Sequence, residues 1–376
     1  METKQNIMIV AGEASGDLHG ANLVKALLAK EPGISFYGIG GKMLKECGVT
    51  LFAEAETLSV VGISEVFSKL NTILSALSLA RKELKQRRPQ LLILIDFPDF
   101  NLRLAKTAKK LNIPVMYYIS PQLWAWRKGR IKNIRKLVDE MVVILPFESE
   151  FYRQNNVPVT FVGHPLLDVI PAHDPSLTMV DIDMAPLVGL LPGSRNEEVN
   201  RLLPIMLQAA EIVSRHIKGV RFILPVAPSL DKGKVQDMIK GVSLNITISQ
   251  GNVYDVLRSA ALVIAASGTV TLEAALFSVP MVIVYKMSWF SHWLAQILIK
   301  VKHFGLVNLI AGEEVVPELL QDEVSAENIA AHVLRVLSNK RERLEIYKKL
   351  IGIRSKLGSP GASARAADVA LRLMDS

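Results

Sequence analysis

Short apolar runs and longer stretches of helical periodicity alternate along nearly the whole chain. In the first half, the runs at 7–10, 91–95, 115–119, 141–145 and 159–162 are rich in Val, Ile and Leu and too short for helices. That combination predicts buried parallel strands. The second half repeats the pattern at 187–191, 220–224, 246–248, 262–266 and 281–285. Between the runs, apolar residues recur at helical spacing, as in Leu18, Ala21 and Leu28, or Leu202, Ile205, Met206, Ala209, Ile212 and Val213. Strand and helix alternating in both halves predict an α/β protein with two doubly wound, Rossmann-like domains. The stretch 166–186 is mixed and rich in Pro and Asp, without a sustained period, and is the expected linker. The expected domains are 1–170 and 186–350, with a terminal helix in 351–376 packing back on the first. The tail 326–376 reads as amphipathic helices broken around Gly358-Ser359-Pro360-Gly361.

Two strand ends in the second half carry turns suited to an anion. The run 187–191 ends in Pro192-Gly193-Ser194-Arg195 and then a helix. The free N–H groups of a first helical turn, backed by the helix dipole, favour phosphate. Arg195 adds a fork of donors that fits a diphosphate. An ordinary βα turn with a surface arginine is the alternative, and taken alone it is the commoner case. The run 262–266 is followed by Ser267-Gly268-Thr269, where two hydroxyls flank a glycine that admits close backbone approach. Glu273 lies one helical turn beyond Thr269 on the same face. A carboxylate there repels phosphate but accepts hydrogen bonds from vicinal ribose hydroxyls. Two phosphate-type turns and one acid point to a nucleotide.

In the first half, residues 7–10 run into Ala11-Gly12-Glu13-Ala14-Ser15-Gly16-Asp17, which does not match the dinucleotide-binding glycine pattern. The glycines of 38–41, read as a turn, fail as well, because Met43 occupies the third glycine position. Asp17 and His19 are candidates for a sugar contact, with helix-start and surface roles as the alternative. The run 91–95 ends at Asp96, where ligands bind in open α/β sheets. A carboxylate flanked by Ile95, Phe97 and Pro98 loses hydration, which raises it toward useful base strength. Asp99 fits the role of helix cap better, though the choice of base between the two stays open. Val66, Leu70, Ile73, Leu74, Leu77 and Leu84 form an apolar stripe with Phe67 beside it and Lys69, Arg81, Lys82, Lys85, Arg87 and Arg88 close by. A membrane-surface helix and a crossover helix packed on the sheet both fit that pattern. The loop at 120–127 holds two tryptophans, and 289–301 is an apolar helix candidate too short to span a bilayer.

Composition narrows the partners. The chain has 376 residues, half of them hydrophobic, yet no apolar run reaches membrane-spanning length. The polar start 1–6 reads as no signal peptide. One cysteine, Cys47, excludes an internal disulfide and a multi-cysteine metal site and fits a reducing cytoplasm. A net charge of +8 favours an acidic partner. Nucleic acid ranks last, since aromatic residues are only 6% and no RNA-binding signature occurs.

The motifs together resemble the lipid A disaccharide synthase family of glycosyltransferases. They are AGEASGDLHG at 11–20, VVGISEV at 60–66, IDFPDFNLRLA at 95–105, SPQLWAWR at 120–127, LPFE at 145–148, FVGHPL at 161–166, LLPGSRNEEV at 190–199 and SGTVTLEAAL at 267–276. The resemblance implies a GT-B fold, with two Rossmann-like domains facing a cleft. It implies inverting transfer of 2,3-diacylglucosamine from UDP to the 6-hydroxyl of 2,3-diacylglucosamine 1-phosphate, giving a β-1,6 disaccharide. By motif, Asp96 matches the essential carboxylate and general base. Gly193, Ser194 and Arg195 would hold the UDP diphosphate with Ser267, Gly268 and Thr269, and Glu273 the ribose. Asn308 matches a position tied to activity. Gly12, Ser15, Gly16 and Asp17 would line the acceptor side. Val66, Phe67, Leu70, Ile73 and Leu74 fall where the family meets the membrane, although Ser64 and Ser68 interrupt the apolar surface. No cofactor and no metal are expected. An anionic membrane surface, at the cytoplasmic face of the inner membrane, and a homodimer complete the expected partners. The rival readings are a UDP-GlcNAc 2-epimerase, a peptidoglycan glycosyltransferase, and a non-catalytic nucleotide-sugar-binding or scaffold protein.

Overall fold

The apolar runs fold into two separate sheets whose strand pairs are all parallel. The structure is a computed structural model and describes residues 5–55, 63–121, 128–171, 185–286 and 303–375; for 63–70 and 128 it describes the backbone alone. Two compact units result: unit 1 is Met1–Val169 with Leu357–Ser376, and unit 2 is Ile170–Lys356.

Unit 1 holds strands β1 (Asn6–Ala11), β2 (Ser35–Gly40), β3 (Thr50–Glu54), β4 (Leu91–Ile95), β5 (Val115–Tyr118), β6 (Glu140–Val143) and β7 (Val159–Phe161). Their order is β3-β2-β1-β4-β5-β6-β7. The chain winds outward from β1 in one direction and from β4 in the other, so the order switches between these two strands. β4 is buried along its length, as its unbroken apolar run requires. Helices Ala14–Lys30, Ile63–Arg87, Pro98–Lys110 and Pro146–Gln154 supply the crossovers.

Two strands here were not anticipated. Gly38 and Gly40 belong to β2 rather than to a turn. Gly38 pairs with Ile9, and a Cβ on it would sit 1.7 Å from the Ile9 carbonyl oxygen. Glycine inside a strand here marks close backbone approach, not chain reversal. β3 carries a mixed pattern at the sheet edge and gives no apolar run. The last helix, Ala362–Met374, packs on Ala14–Lys30 with a Lys30–Asp368 ion pair of 2.7 Å.

Unit 2 holds β8 (Leu187–Leu191), β9 (Arg221–Pro225), β10 (Ile246–Ser249), β11 (Leu262–Ala266), β12 (Met281–Tyr285) and β13 (Glu318–Leu320). The order is β10-β9-β8-β11-β12-β13, with the switch between β8 and β11. β13, a three-residue edge strand, was not anticipated. The helices Asn196–His216, Thr269–Leu276 and Ala326–Ser338 cover the sheet, Lys340–Lys356 packs on the helices beside it, and together they account for the periodicity of the second half. The apolar candidate 289–301, most of the tryptophan loop and most of the linker lie outside the described residues.

Candidate active site

Both strand-order switches carry the motifs singled out in the sequence. In unit 1, β1 and β4 are neighbours in register, with Ala11 opposite Ile95. The chain therefore leaves them side by side, through 12–16 after β1 and through Asp96-Phe97 after β4. A crevice outside such carboxyl ends is where open α/β sheets bind ligands.

Asp96 and Phe97 both adopt the left-handed region, with φ of +49° and +43°. Non-glycine residues pay about 1–3 kcal/mol each for such backbone, so the surroundings must impose it. They do so at the Asp96 carbonyl. The Asn101 amide donates to it at 2.7 Å and to the Ile95 carbonyl at 3.1 Å, and the buried Tyr117 hydroxyl donates to it as well. Pro98 then begins the helix Pro98–Lys110, and Phe97 stacks on Phe100 at 5.1 Å. With its carbonyl held, the Asp96 carboxyl projects toward the first helix. A Cβ on Gly16 would lie 3.1 Å from the Asp96 Oδ2, and one on Gly12 would lie 2.6 Å from the Phe97 ring. These glycines let the 12–16 turn close over the strained pair. Burial, and secondarily the Glu13 carboxylate, push Asp96 up to about 7. Asp99 is exposed and paired with Arg130. The two acids of the motif thus sit in opposite environments, and only Asp96 has that of a base working near neutrality.

The neighbouring polar residues divide into two kinds. Asp17 is buried, and its carboxylate accepts from the N–H groups of Gly41, Met43 and Leu44 at 2.6, 2.9 and 3.2 Å. Through these bonds it fastens the start of the helix Lys42–Glu46, a structural role that takes most of the acceptor capacity of the carboxylate. Ser15 stays exposed. His19 is mostly buried rather than a surface residue, and its Nδ1 has no partner among the described residues; burial lowers its pKa. His164, passed over in the sequence as a strand exit, is pushed down to about 3 by burial and secondarily by His19. Its Nδ1 accepts from the Leu166 N–H at 3.2 Å, which fits a neutral His164 ring. The adjacent glycine and proline of Gly163-His164-Pro165 were the signal for a tight, buried corner.

The apolar stripe on Ile63–Arg87 also divides. Leu77 and Leu84 are buried and Ile73 packs against the same core, so these positions cover the sheet. Ile73 is only partly buried there, as a crossover helix between β3 and β4 must bury one face. Leu74 is 43% exposed. The side chains of Val66, Phe67 and Leu70 lie outside the described residues.

In unit 2 the two phosphate-type turns come together. Ala265 pairs with Leu191, so β8 and β11 deliver their turns to one pocket of about 580 Å³. Gly193, Ser194, Arg195, Ser267, Gly268, Thr269 and Glu273 all line it. Gly193 has φ +113°, and a Cβ there would lie 2.4 Å from a Glu198 carboxyl oxygen, so glycine is required. Arg195 is the N-cap of Asn196–His216 and keeps 71% of its side chain exposed, with only a 3.5 Å contact to Glu198. Gly268 caps Thr269–Leu276, and the Thr271 hydroxyl donates back to its carbonyl at 2.8 Å. Burial raises the Glu273 pKa, and the Tyr254 hydroxyl donates to it at 3.3 Å. The sequence reading missed the proline-bounded loop 225–228 on the pocket wall and Tyr254, which holds Glu273. Asn252, whose side chain caps Tyr254 N–H at 3.0 Å, was the available signal.

Asn308 sits elsewhere in chemistry as well as in structure. It is fully buried; its Oδ1 accepts from the Val315 and Val316 N–H groups at 2.7 and 3.1 Å. Its Nδ2 donates to the Val316 carbonyl at 2.8 Å and to Glu318 at 2.6 Å. All four of its hydrogen-bonding positions are filled, so the expected UDP-sugar contact becomes a buckle tying the helix Leu306–Ala311 to the approach of β13.

A family model described as lipid-A-disaccharide synthetase matches residues 7–370. The chain belongs to that family. Lipid-A-disaccharide synthase of Syntrophus aciditrophicus (strain SB) is 50% identical over 373 residues, covering 98% of this chain and 97% of that protein. The two-sheet α/β architecture is that of the GT-B glycosyltransferases. Acinetobacter baumannii MurG superposes with a TM-score of 0.61 at 15% identity, covering 98% of this chain and 99% of that one. The UDP-GlcNAc 2-epimerase of Neisseria meningitidis, solved with UDP-GlcNAc, gives 0.66 at 13% identity over 98% and 100%. At such identities these likenesses speak for the fold alone. Lipid-A-disaccharide synthases are glycosyltransferases, and the family separates this chain from the epimerase and peptidoglycan readings that share its fold.

Proposed function

We propose that the protein transfers 2,3-diacylglucosamine from its UDP carrier to the 6-hydroxyl of 2,3-diacylglucosamine 1-phosphate, with inversion, releasing UDP. Family membership supports the substrates, and a UDP-GlcNAc-bound relative in fold supports a UDP-sugar donor. The observation that carries the mechanism is the desolvated Asp96 carboxyl beside the 12–16 turn.

In this reading Asp96 accepts the proton of the attacking 6-hydroxyl as the new bond to the anomeric carbon forms. The bond from that carbon to the UDP oxygen breaks on the opposite face. A carboxyl near 7 is substantially ionised at neutral pH and still basic enough to take the proton. The leaving diphosphate gathers negative charge, which Arg195 and the N–H groups opening the helices Asn196–His216 and Thr269–Leu276 stabilise. Glu273, held by Tyr254 but with acceptor capacity to spare, takes the ribose hydroxyls. Gly12, Ser15 and Gly16 border the acceptor.

The same reading puts the protein on the cytoplasmic face of the inner membrane as a peripheral protein and a homodimer. The acyl chains of both substrates, the exposed Leu74 and the +8 charge support the membrane part. No helix among the described residues is long and apolar enough to cross a membrane.

The test supplies UDP-2,3-diacylglucosamine and 2,3-diacylglucosamine 1-phosphate in mixed detergent micelles and follows UDP and disaccharide by mass spectrometry. Equal amounts of both products are expected. UDP without disaccharide would refute the acceptor assignment, and neither product from folded, UDP-binding protein would refute the donor.

A further inference from the structure

A second feature of unit 1 lies at the opposite end of the strands from Asp96. The helices Ile63–Arg87 and Pro98–Lys110 end where β4 and β5 begin. Between their last turns runs an open groove of about 680 Å³, lined by Arg81, Lys85, Arg103, Lys106 and Lys110, with Leu137 in its wall. The remaining cation of the groove, Lys109, is neutralised by Asp139 at 2.6 Å. None of the other five makes an ion pair among the described residues, and no acidic side chain lines the groove.

The helix dipole explains part of this. Cations are favourable in a last helical turn, which covers Lys85 and Lys110. Arg81, Arg103 and Lys106 precede those turns, so the dipole does not account for them. Holding five like charges along one groove is unfavourable unless an anion shares it. The lining has no aromatic ring, which removes the stacking platform a single-stranded nucleic acid uses. The helix itself gives the direction. Leu74 precedes Arg81 by two turns and Lys85 by three, so an exposed leucine and two groove cations share one face of Ile63–Arg87. An apolar contact followed by cations along a helix face is the arrangement that lies on an anionic bilayer.

We propose that this groove is a binding site for the phosphates of anionic phospholipid headgroups, separate from the acceptor and donor sites. It rests on the membrane part of the proposed function and is independent of the transfer chemistry. It orients unit 1 by a defined cluster of cations and not by net charge.

The test measures flotation of the full chain with vesicles of phosphatidylcholine alone or mixed with phosphatidylglycerol. Three proteins are compared: wild type, the groove variant Arg103→Glu/Lys106→Glu, and a charge-matched variant Lys232→Glu/Lys234→Glu on an exposed helix of unit 2. Wild type should bind only the phosphatidylglycerol vesicles, and less as salt rises. The groove variant should lose at least about tenfold in vesicle affinity, while the charge-matched variant stays near wild type. Arg103 and Lys106 are exposed, so both variants should retain turnover in detergent micelles, which reports folding and tests the reaction separately. Equal losses in the two variants would reduce the effect to net charge and overturn the proposal. So would unchanged binding of the groove variant. Binding of inorganic pyrophosphate to wild type that the groove variant loses, while vesicle binding stays equal in both, would make the groove a free-phosphate site and overturn the lipid assignment.

Discussion

A base held ready by desolvation destabilises the fold that carries it, and Asp96 is where this can be measured. Asp96→Asn removes the charge, keeps the shape and tolerates the left-handed backbone equally well. In the folded chain Asp96 is pushed up to about 7, whereas an unfolded chain restores it to about 3.9. The folded state therefore holds a proton that the unfolded state releases between about pH 4 and 7. Stability falls as pH rises through that window and stays at its lower value above it. About three pH decades separate the two values, and at about 1.4 kcal/mol per decade the ionised carboxylate costs about 4 kcal/mol. The side chain keeps some access to solvent, so about 2–4 kcal/mol is the expected range.

The Asn variant has no such charge to bury. It should be more stable than wild type at pH 8 by that amount and equal to it at pH 4, where the wild-type carboxyl is protonated when folded. In a unit of this size, 1 kcal/mol moves the midpoint by about 2–4 °C, so a rise of about 4–16 °C is expected at pH 8. Thermal unfolding followed by circular dichroism at pH 4, 6 and 8 reads this directly. Turnover should fall by about 10²–10⁴ in the same variant. An equal or lower midpoint at pH 8 would refute the desolvation argument. Turnover above a few per cent, with UDP binding intact, would sink the general-base assignment.

Three further outcomes follow from the hydrogen bonds around the two sites. Tyr117→Phe removes one of the two side-chain donors on the Asp96 carbonyl and should lower kcat by about tenfold with acceptor KM unchanged; Tyr152→Phe, another buried tyrosine bonded to Ser120, should affect stability only, and equal kcat losses would remove the positioning role. Glu13→Gln withdraws the second cause of the raised Asp96 value, so the acidic limb of kcat/KM against pH should move to lower pH; a stationary limb would count against Glu13. Asn308→Ala empties a buried four-bond network and should cost about 2–4 kcal/mol in urea unfolding while leaving UDP affinity nearly unchanged, and a selective loss of UDP affinity would restore Asn308 as a ligand contact.

β7, β9 and β10 were legible although only partly buried, and the plainest apolar runs were those of strands buried on both faces. β4 and β11 are of this kind. β2 was hidden by the glycines that let it approach β1, and β3 and β13 by their place at sheet edges, where mixed residues suffice. Topology then did what no local pattern could. Residues 190–199 and 267–276 are far apart in sequence, yet β8 and β11 are neighbours at the switch and bring both turns to one pocket.

The site residues were harder to sort, and the reason is physical. A motif reports that a polar residue is present but not whether its hydrogen-bonding capacity is already used. Asp17, in the first helical turn after β1, and Asp96, directly after β4, both follow adjacent strands and look alike in sequence. Asp17 accepts from three backbone N–H groups, and those bonds hold the helix Lys42–Glu46 in place. Asp96 is bonded through its backbone carbonyl instead, which leaves its carboxyl desolvated and raised. Asn308 and Glu273 divide in the same way in unit 2: Asn308 has no free position, whereas Glu273 has one tyrosine partner at 3.3 Å and a place on the pocket wall. A buried polar group whose bonds are complete stabilises the fold, and one left short of partners can be completed by a substrate. By that criterion Asp96 and Glu273 keep the most unused hydrogen-bonding capacity, whereas Asp17 and Asn308 spend most or all of theirs on fastening elements of the fold.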